Sequence, residues 1–64
     1  MFVQAQFLRL PQVKELTSLS KSTIYRLMDE GNFPKQISLG ARSVAWEKSQ
    51  VEQWCYSKIA AALG

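Results

Sequence analysis

A chain of 64 residues with eight Lys and Arg against five Asp and Glu, a formal charge of +3 and no His has room for one small domain and favours polyanionic partners. The 47% hydrophobic content and seven aromatic residues, two Trp, two Tyr and three Phe, favour a folded core over disorder. A lone Cys55 excludes an internal disulfide, and without His or a second Cys there is no zinc site. No apolar run approaches the roughly 18–20 residues of a membrane span, and "MFVQAQFL" lacks the positive start of a secretory signal. The expectation is therefore a soluble cytoplasmic protein with no membrane partner and no cofactor.

The opening "MFVQAQF" alternates loosely and carries no helix start, so it reads as a short extended arm or frayed end. In "RLPQVKELTSLS", Pro11 suits the first helical position because the N–H it lacks is one a helix leaves unpaired anyway. Leu10, Val13 and Leu16 recur every three residues and predict one buried stripe on a two-turn helix. The "TSLS" segment breaks that helix, with Leu19 plugging inward. Ser20 then serves as N-cap for a second helix over Lys21–Glu30, closed by Gly31 in a left-handed conformation. Ile24, Leu27 and Met28 form its packed face; Ser22, Tyr25, Arg26 and Asp29 point largely away.

From Lys35 the period changes to two, predicting a β-hairpin. A turn centred on Ala41 and Arg42 sets Leu39 opposite Val44 and Ile37 opposite Trp46, all on one face, with Arg42 at the exposed tip and Gly40 relieving the backbone beside it. In "SQVEQWCYSKIAAALG", Ser49 and Glu52 have capping-box spacing, and Val51, Trp54, Cys55, Ile59 and Leu63 recur at helical intervals, predicting a third helix that closes the core. There is no repeat and no linker, so residues 1–64 read as one domain with its core at about 9–58. Helix, tight turn, helix, basic-tipped hairpin and helix describe a mainly α winged helix-turn-helix. In that architecture the second helix enters a DNA major groove and the hairpin wing reaches the neighbouring backbone or minor groove.

The string from Arg9 to Trp54, with "LSKSTIYRLMDEGNFPK", the wing "LGARSVAW" and "SQVEQW" in order, closely resembles the AlpA family of small prophage-associated regulators, related to phage excisionases and to the DNA-binding domain of MerR-type regulators. The resemblance covers some three-quarters of the chain. It implies a sequence-specific, double-stranded DNA-binding transcriptional regulator of phage or prophage genes, or an excisionase that bends attachment-site DNA for an integrase. Its motif positions mark Lys21, Ser22, Thr23, Tyr25 and Arg26 on the recognition helix and Arg42 on the wing.

Each of these residues also has a plainer use. Arg26 suits a bidentate contact to guanine or a phosphate clamp, or a helical ion pair with Asp29 or Glu30. Lys21 in a first turn is mildly unfavourable to the helix dipole, which argues for a phosphate contact. Ser22 and Thr23 either donate to DNA or belong to the helix start. Tyr25 stacks on sugar or leans over the core edge. Arg42 has few structural reasons to stand at a hairpin tip, and Lys35 and Ser43 are weaker candidates on the wing's flanks. Trp46 and Trp54 are in phase with the apolar faces and read as core rather than base-stacking platforms. Asp29 and Glu30 repel phosphate and confine DNA contacts to the first half of the helix.

Catalysis finds no support in the residues: there is no His, no phosphate-binding Gly pattern and no activating partner for Cys55. A protein-interaction module is the rival from another class, because "KIAAAL" offers an apolar strip. A module this small neutralises few phosphates, so itself in a second copy, an integrase or RNA polymerase are the expected protein partners.

Overall fold

The computed structural model describes residues 5–64; the first four residues of the expected N-terminal arm lie outside them. Six elements follow in order: β1 (Phe7–Leu8), α1 (Leu10–Thr17), α2 (Lys21–Asp29), β2 (Ile37–Gly40), β3 (Ser43–Glu47) and α3 (Lys48–Leu63). The architecture is mainly helical with an antiparallel hairpin, a winged helix-turn-helix. A feature absent from the sequence reading is that β3 is a central strand: it pairs with β2 on one side and with β1 on the other. Phe7 faces Glu47, Leu8 faces Trp46, and the backbone N–H of Lys48 donates to Gln6 O at 2.8 Å.

Local chemistry sets the helix ends. Arg9 is the N-cap of α1; its N–H donates to Gln12 Oε1 at 2.8 Å while its carbonyl accepts from Gln12 and Val13. Pro11 thus falls one residue later than the first helical position, still inside the turn whose N–H groups need no helical partner. Ser18 turns left-handed at φ 62° and donates to Lys14 O, and Thr17 Oγ donates to Val13 O. The chain reverses there, with Leu19 half-buried against the core. The helix α2 starts on Ser20, whose Oγ accepts from the Thr23 N–H at 3.3 Å. It ends one residue before the expected Glu30, in a Schellman motif: Asn32 N–H donates to Leu27 O, Gly31 N–H donates to Met28 O, and Gly31 has φ 76°.

Beyond the turn the hairpin register differs from expectation by one residue. Ile37 faces Ala45, Ser38 faces Val44 and Gly40 faces Ser43, with an irregularity between Ser38 and Gly40. The extra residue there is Leu39, which is 44% exposed instead of opposing Val44. An unpaired bulge residue leaves the pleat's alternation, so the four large residues do not share one face. The turn itself is on Ala41 and Arg42 as expected, with Arg42 at φ 60° and Gly40 at φ 148°.

The buried cluster is Val13, Ile24, Phe33, Trp46 and Val51, one residue from each helix, one from β3 and Phe33 from the segment between α2 and β2. Leu16, predicted to be buried, is 45% exposed, because the short α1 meets the sheet through Val13 and Leu10 and its last turn runs past the packing partner. The cap of α3 also differs. Glu47, at the end of β3, accepts from the backbone N–H of Ser49 at 3.0 Å and from its hydroxyl, so the strand runs directly into the helix and the Ser49–Glu52 box does not form the cap. Only the first half of α3 closes the core. Val51 is fully buried and Trp54 half-buried, whereas Ile59 is 52% and Leu63 84% exposed.

The contrast between Ile24 and Ile59 is directly testable. Ile24→Ala should cost about 2–5 kcal/mol, enough to unfold much of a domain whose core supplies roughly 3–5 kcal/mol; Ile59→Ala should stay within about 0.5 kcal/mol. Urea denaturation followed by circular dichroism measures both, and equal losses would place Ile59 in the core. A second outcome concerns acid. Hydrogen bonds from the Ser49 side chain and backbone hold the Glu47 carboxyl below the usual carboxylate range. A depressed folded-state pKa adds stability that is present above the unfolded-state value and is lost as pH falls through the folded-state value. In thermal melts across the acid range, Glu47→Gln should flatten the loss seen in the wild type at the low-pH end; an unchanged profile contradicts the cap.

Candidate nucleic-acid interface

The first turn of α2 presents Lys21 and Ser22 to solvent, with Thr23 half-buried. The three hydroxyls at this end form one cluster: Ser20 Oγ lies 2.9 Å from Thr23 Oγ1, to which it donates, and 3.3 Å from Ser22 Oγ. Thr23 thus serves the helix start, while Ser22 lies at the exposed edge of the cap. Lys21 has no acidic neighbour in this turn, and its ammonium stands at the positive end of the helix dipole, where an anion is favoured.

Tyr25 is half-buried, its ring edge-on to Trp46 with centroids 6.3 Å apart at 71°. That contact joins α2 to the central strand and leaves Tyr25 at the border between core and outer face. Arg26, one position on, is exposed and lies 3.3 Å from Glu30 across one helical turn. With side chains 60% and 46% exposed, such a pair is worth only a few tenths of a kcal/mol. The guanidinium is therefore oriented but readily released to a competing anion. Asp29 and Glu30 stand together at the far end of α2, so negative charge falls away toward its start.

On the wing, Arg42 occupies the exposed tip. Ser43 accepts a hydrogen bond from Arg9 Nη1 at 2.9 Å. Arg9 carries no local signal in the sequence, because its approach to Ser43, 34 residues away, depends on the β1–β3 pairing. Lys35 is set apart from the others: it lines an open groove between the Gly31–Ile37 segment and α3, shared with Gln53, Trp54 and Lys58. In that groove Trp54 Nε1 donates to Asn32 O at 2.7 Å and its ring meets Phe33 edge-on at 4.9 Å. Trp54 thereby staples the end of α2 to α3. Trp46 is fully buried. Among the described residues no helix is long and apolar enough to cross a membrane.

The arrangement is a helix-turn-helix whose second helix has a cationic, hydroxyl-bearing first half, beside a wing that carries Arg42 and is met by Arg9. The family model described as prophage CP4-57 regulatory protein (AlpA) matches residues 6–59, and the chain belongs to this AlpA family. The chain is 51% identical over 57 residues to ORF88 of Enterobacteria phage P4, an uncharacterized protein, covering 89% of this chain and 65% of that one, so it spans just under two-thirds of that relative. It is also 33% identical over 55 residues to the DNA-binding transcriptional activator AlpA of Escherichia coli K12, covering 77% of this chain and 79% of that protein.

Proposed function

We propose that this chain is a sequence-specific DNA-binding regulator of phage or prophage transcription. In this reading the first half of α2 enters the major groove and the hairpin wing rests on the flanking backbone or minor groove. One observation carries it: Lys21, Ser22 and Arg26 lie exposed on a short helix whose opposite face is buried in the core, and Tyr25 couples that helix to the strand that bears the wing. A helix anchored on one side and cationic on the other is what major-groove docking requires. Kinship with a DNA-binding transcriptional activator supports the same conclusion.

Arg26 reads a base or clamps a phosphate once the Glu30 pair opens. Lys21 binds phosphate at the helix start, and Ser22 donates to the backbone at the edge of its cap. Thr23 and Tyr25 contribute from the rim of the surface, and Arg42 tracks the neighbouring phosphates or minor groove. Lys35, in its separate groove, contacts only DNA that continues past the wing. The exposed Ile59 and Leu63 support a protein contact by α3, with a second copy, an integrase or RNA polymerase as partner, which compensates for the few phosphates one module neutralises.

Footprinting on DNA flanking the gene, with an excision assay beside the cognate integrase, tests the proposal. The expected result is a protected promoter segment and no change in excision. Protection at an attachment site with altered excision instead selects the excisionase reading, and no specific protection anywhere contradicts DNA binding. On the protected site Arg26→Ala should weaken binding by about 1–3 kcal/mol, whereas Glu30→Gln, which frees Arg26 and removes a repelling charge, should strengthen it. Equal affinities for all three proteins would remove Arg26 from the interface.

A further inference from the structure

Arg9 stands outside every motif that marks the recognition helix and the wing tip, yet the fold brings its side chain to the wing. Its backbone is held from both directions. Leu8, just before it, is paired with Trp46 on the central strand, and Arg9 itself caps α1 through three hydrogen bonds shared with Gln12 and Val13. The side chain then crosses to β3, where Nη1 donates to Ser43 Oγ at 2.9 Å, directly after Arg42 at the tip.

The charge so placed has no acidic partner among the described residues. Among the described residues the one ion pair is that of Arg26 with Glu30, whereas Arg9 is exposed and meets a neutral hydroxyl. A guanidinium has five N–H donors, of which the Ser43 contact uses one, and a hydroxyl that accepts still has its own O–H to donate. The pair therefore offers a fork of donors with its geometry already fixed, which matches the oxygens of a phosphodiester and loses little side-chain freedom on binding. With Arg42 one residue from Ser43, two guanidinium groups serve the same end of β3.

From this geometry we propose that Arg9 is a DNA-phosphate contact of the wing and that Ser43 is its positioning residue. The inference rests on the DNA-binding reading above and adds a residue to it from outside both the helix and the hairpin. It also changes the role of Ser43, from an independent contact on the wing's flank to the group that aims Arg9.

The alternative is a purely structural strap that ties the start of α1 to the wing, and the test separates the two. The probe is a duplex selected by the wild-type protein from a random-sequence pool, with affinity measured by fluorescence anisotropy across a salt series and folding followed by thermal melts. Arg9→Gln retains an N–H donor for Ser43 and loses the charge. The slope of log affinity against log salt should become shallower by about 0.9, the loss of one phosphate contact, with the melting temperature nearly unchanged. Arg9→Lys should keep the wild-type slope. An unchanged slope in Arg9→Gln, where Arg42→Gln does reduce it, overturns the assignment of Arg9 while leaving DNA binding intact. Lowered melting temperatures in both Arg9 variants with the wild-type slope also overturn it, in favour of the strap. A wild-type protein that selects no duplex overturns the DNA-binding reading and this assignment with it.

Discussion

The burial of Trp46 on the central strand is the constraint on which the other placements depend. Its indole is fully covered and lies in one cluster with Val13 of α1, Ile24 of α2, Val51 of α3 and Phe33 from the segment between α2 and β2. Removing such a side chain costs about 3–5 kcal/mol, which equals the stability that a core of this size supplies. Among the described residues the indole N–H finds no acceptor, and an unpaired buried donor costs on the order of 1–3 kcal/mol. The position therefore owes its stabilising effect to the volume and shape of the ring, and it bears an electrostatic cost in filling the space between sheet and helices.

Because β3 is paired on both sides, the hairpin is a fixed arm of the core. Trp46 meets Tyr25 of α2 and faces Leu8 of β1, so α2, the wing and the start of α1 all take their positions from one strand. Glu47, the next residue, caps α3. The second connection is at the far end of α2, where the Schellman turn delivers Asn32 and Phe33 to Trp54. These two attachments hold α2 at its middle and at its C-terminal end, while the last turns of α3 remain free of the core. One end of the molecule is thus specialised for a rigid polar surface, and another carries exposed apolar residues suited to a protein contact.

What could be read from the residues follows from how local the deciding interactions are. The boundaries of α2 come from Ser20 and Gly31, each acting within a few residues, and both were legible. The existence of the hairpin and its tip at Arg42 were legible from the change of period. Its register was legible only at the turn, because a bulge at Leu39 moves the pairings of Ile37 and Ser38 by one residue without disturbing the apolar alternation that suggested it. The strand β1 has only two residues, and its pairing with β3 spans 40 residues between Phe7 and Glu47, beyond any local signal. That omission also hid Arg9. Helical spacing marked Leu16, Ile59 and Leu63 as inward positions, but spacing tells which side of a helix is apolar and not how far the partner extends beneath it. The cap of α3 came from the strand before it, because the helix begins at Lys48 and Ser49 already lies inside it. Among the site residues, the exposed positions of Lys21, Ser22, Arg26 and Arg42 were legible from face and turn. The engagement of Thr23 in the cap, of Ser43 by Arg9 and of Lys35 in a separate groove emerged only in three dimensions.

The central claim is that the first half of α2 and the wing form one surface for DNA. Amide chemical shifts of the isotopically labelled protein, followed by NMR during titration with a selected duplex, test it most directly. The predicted result is that the largest changes fall on residues 20–26 and 41–43, with residues 59–63 unaffected at substoichiometric DNA. Changes concentrated in the second half of α3, or in the groove of Lys35 and Lys58, with α2 silent, would contradict it.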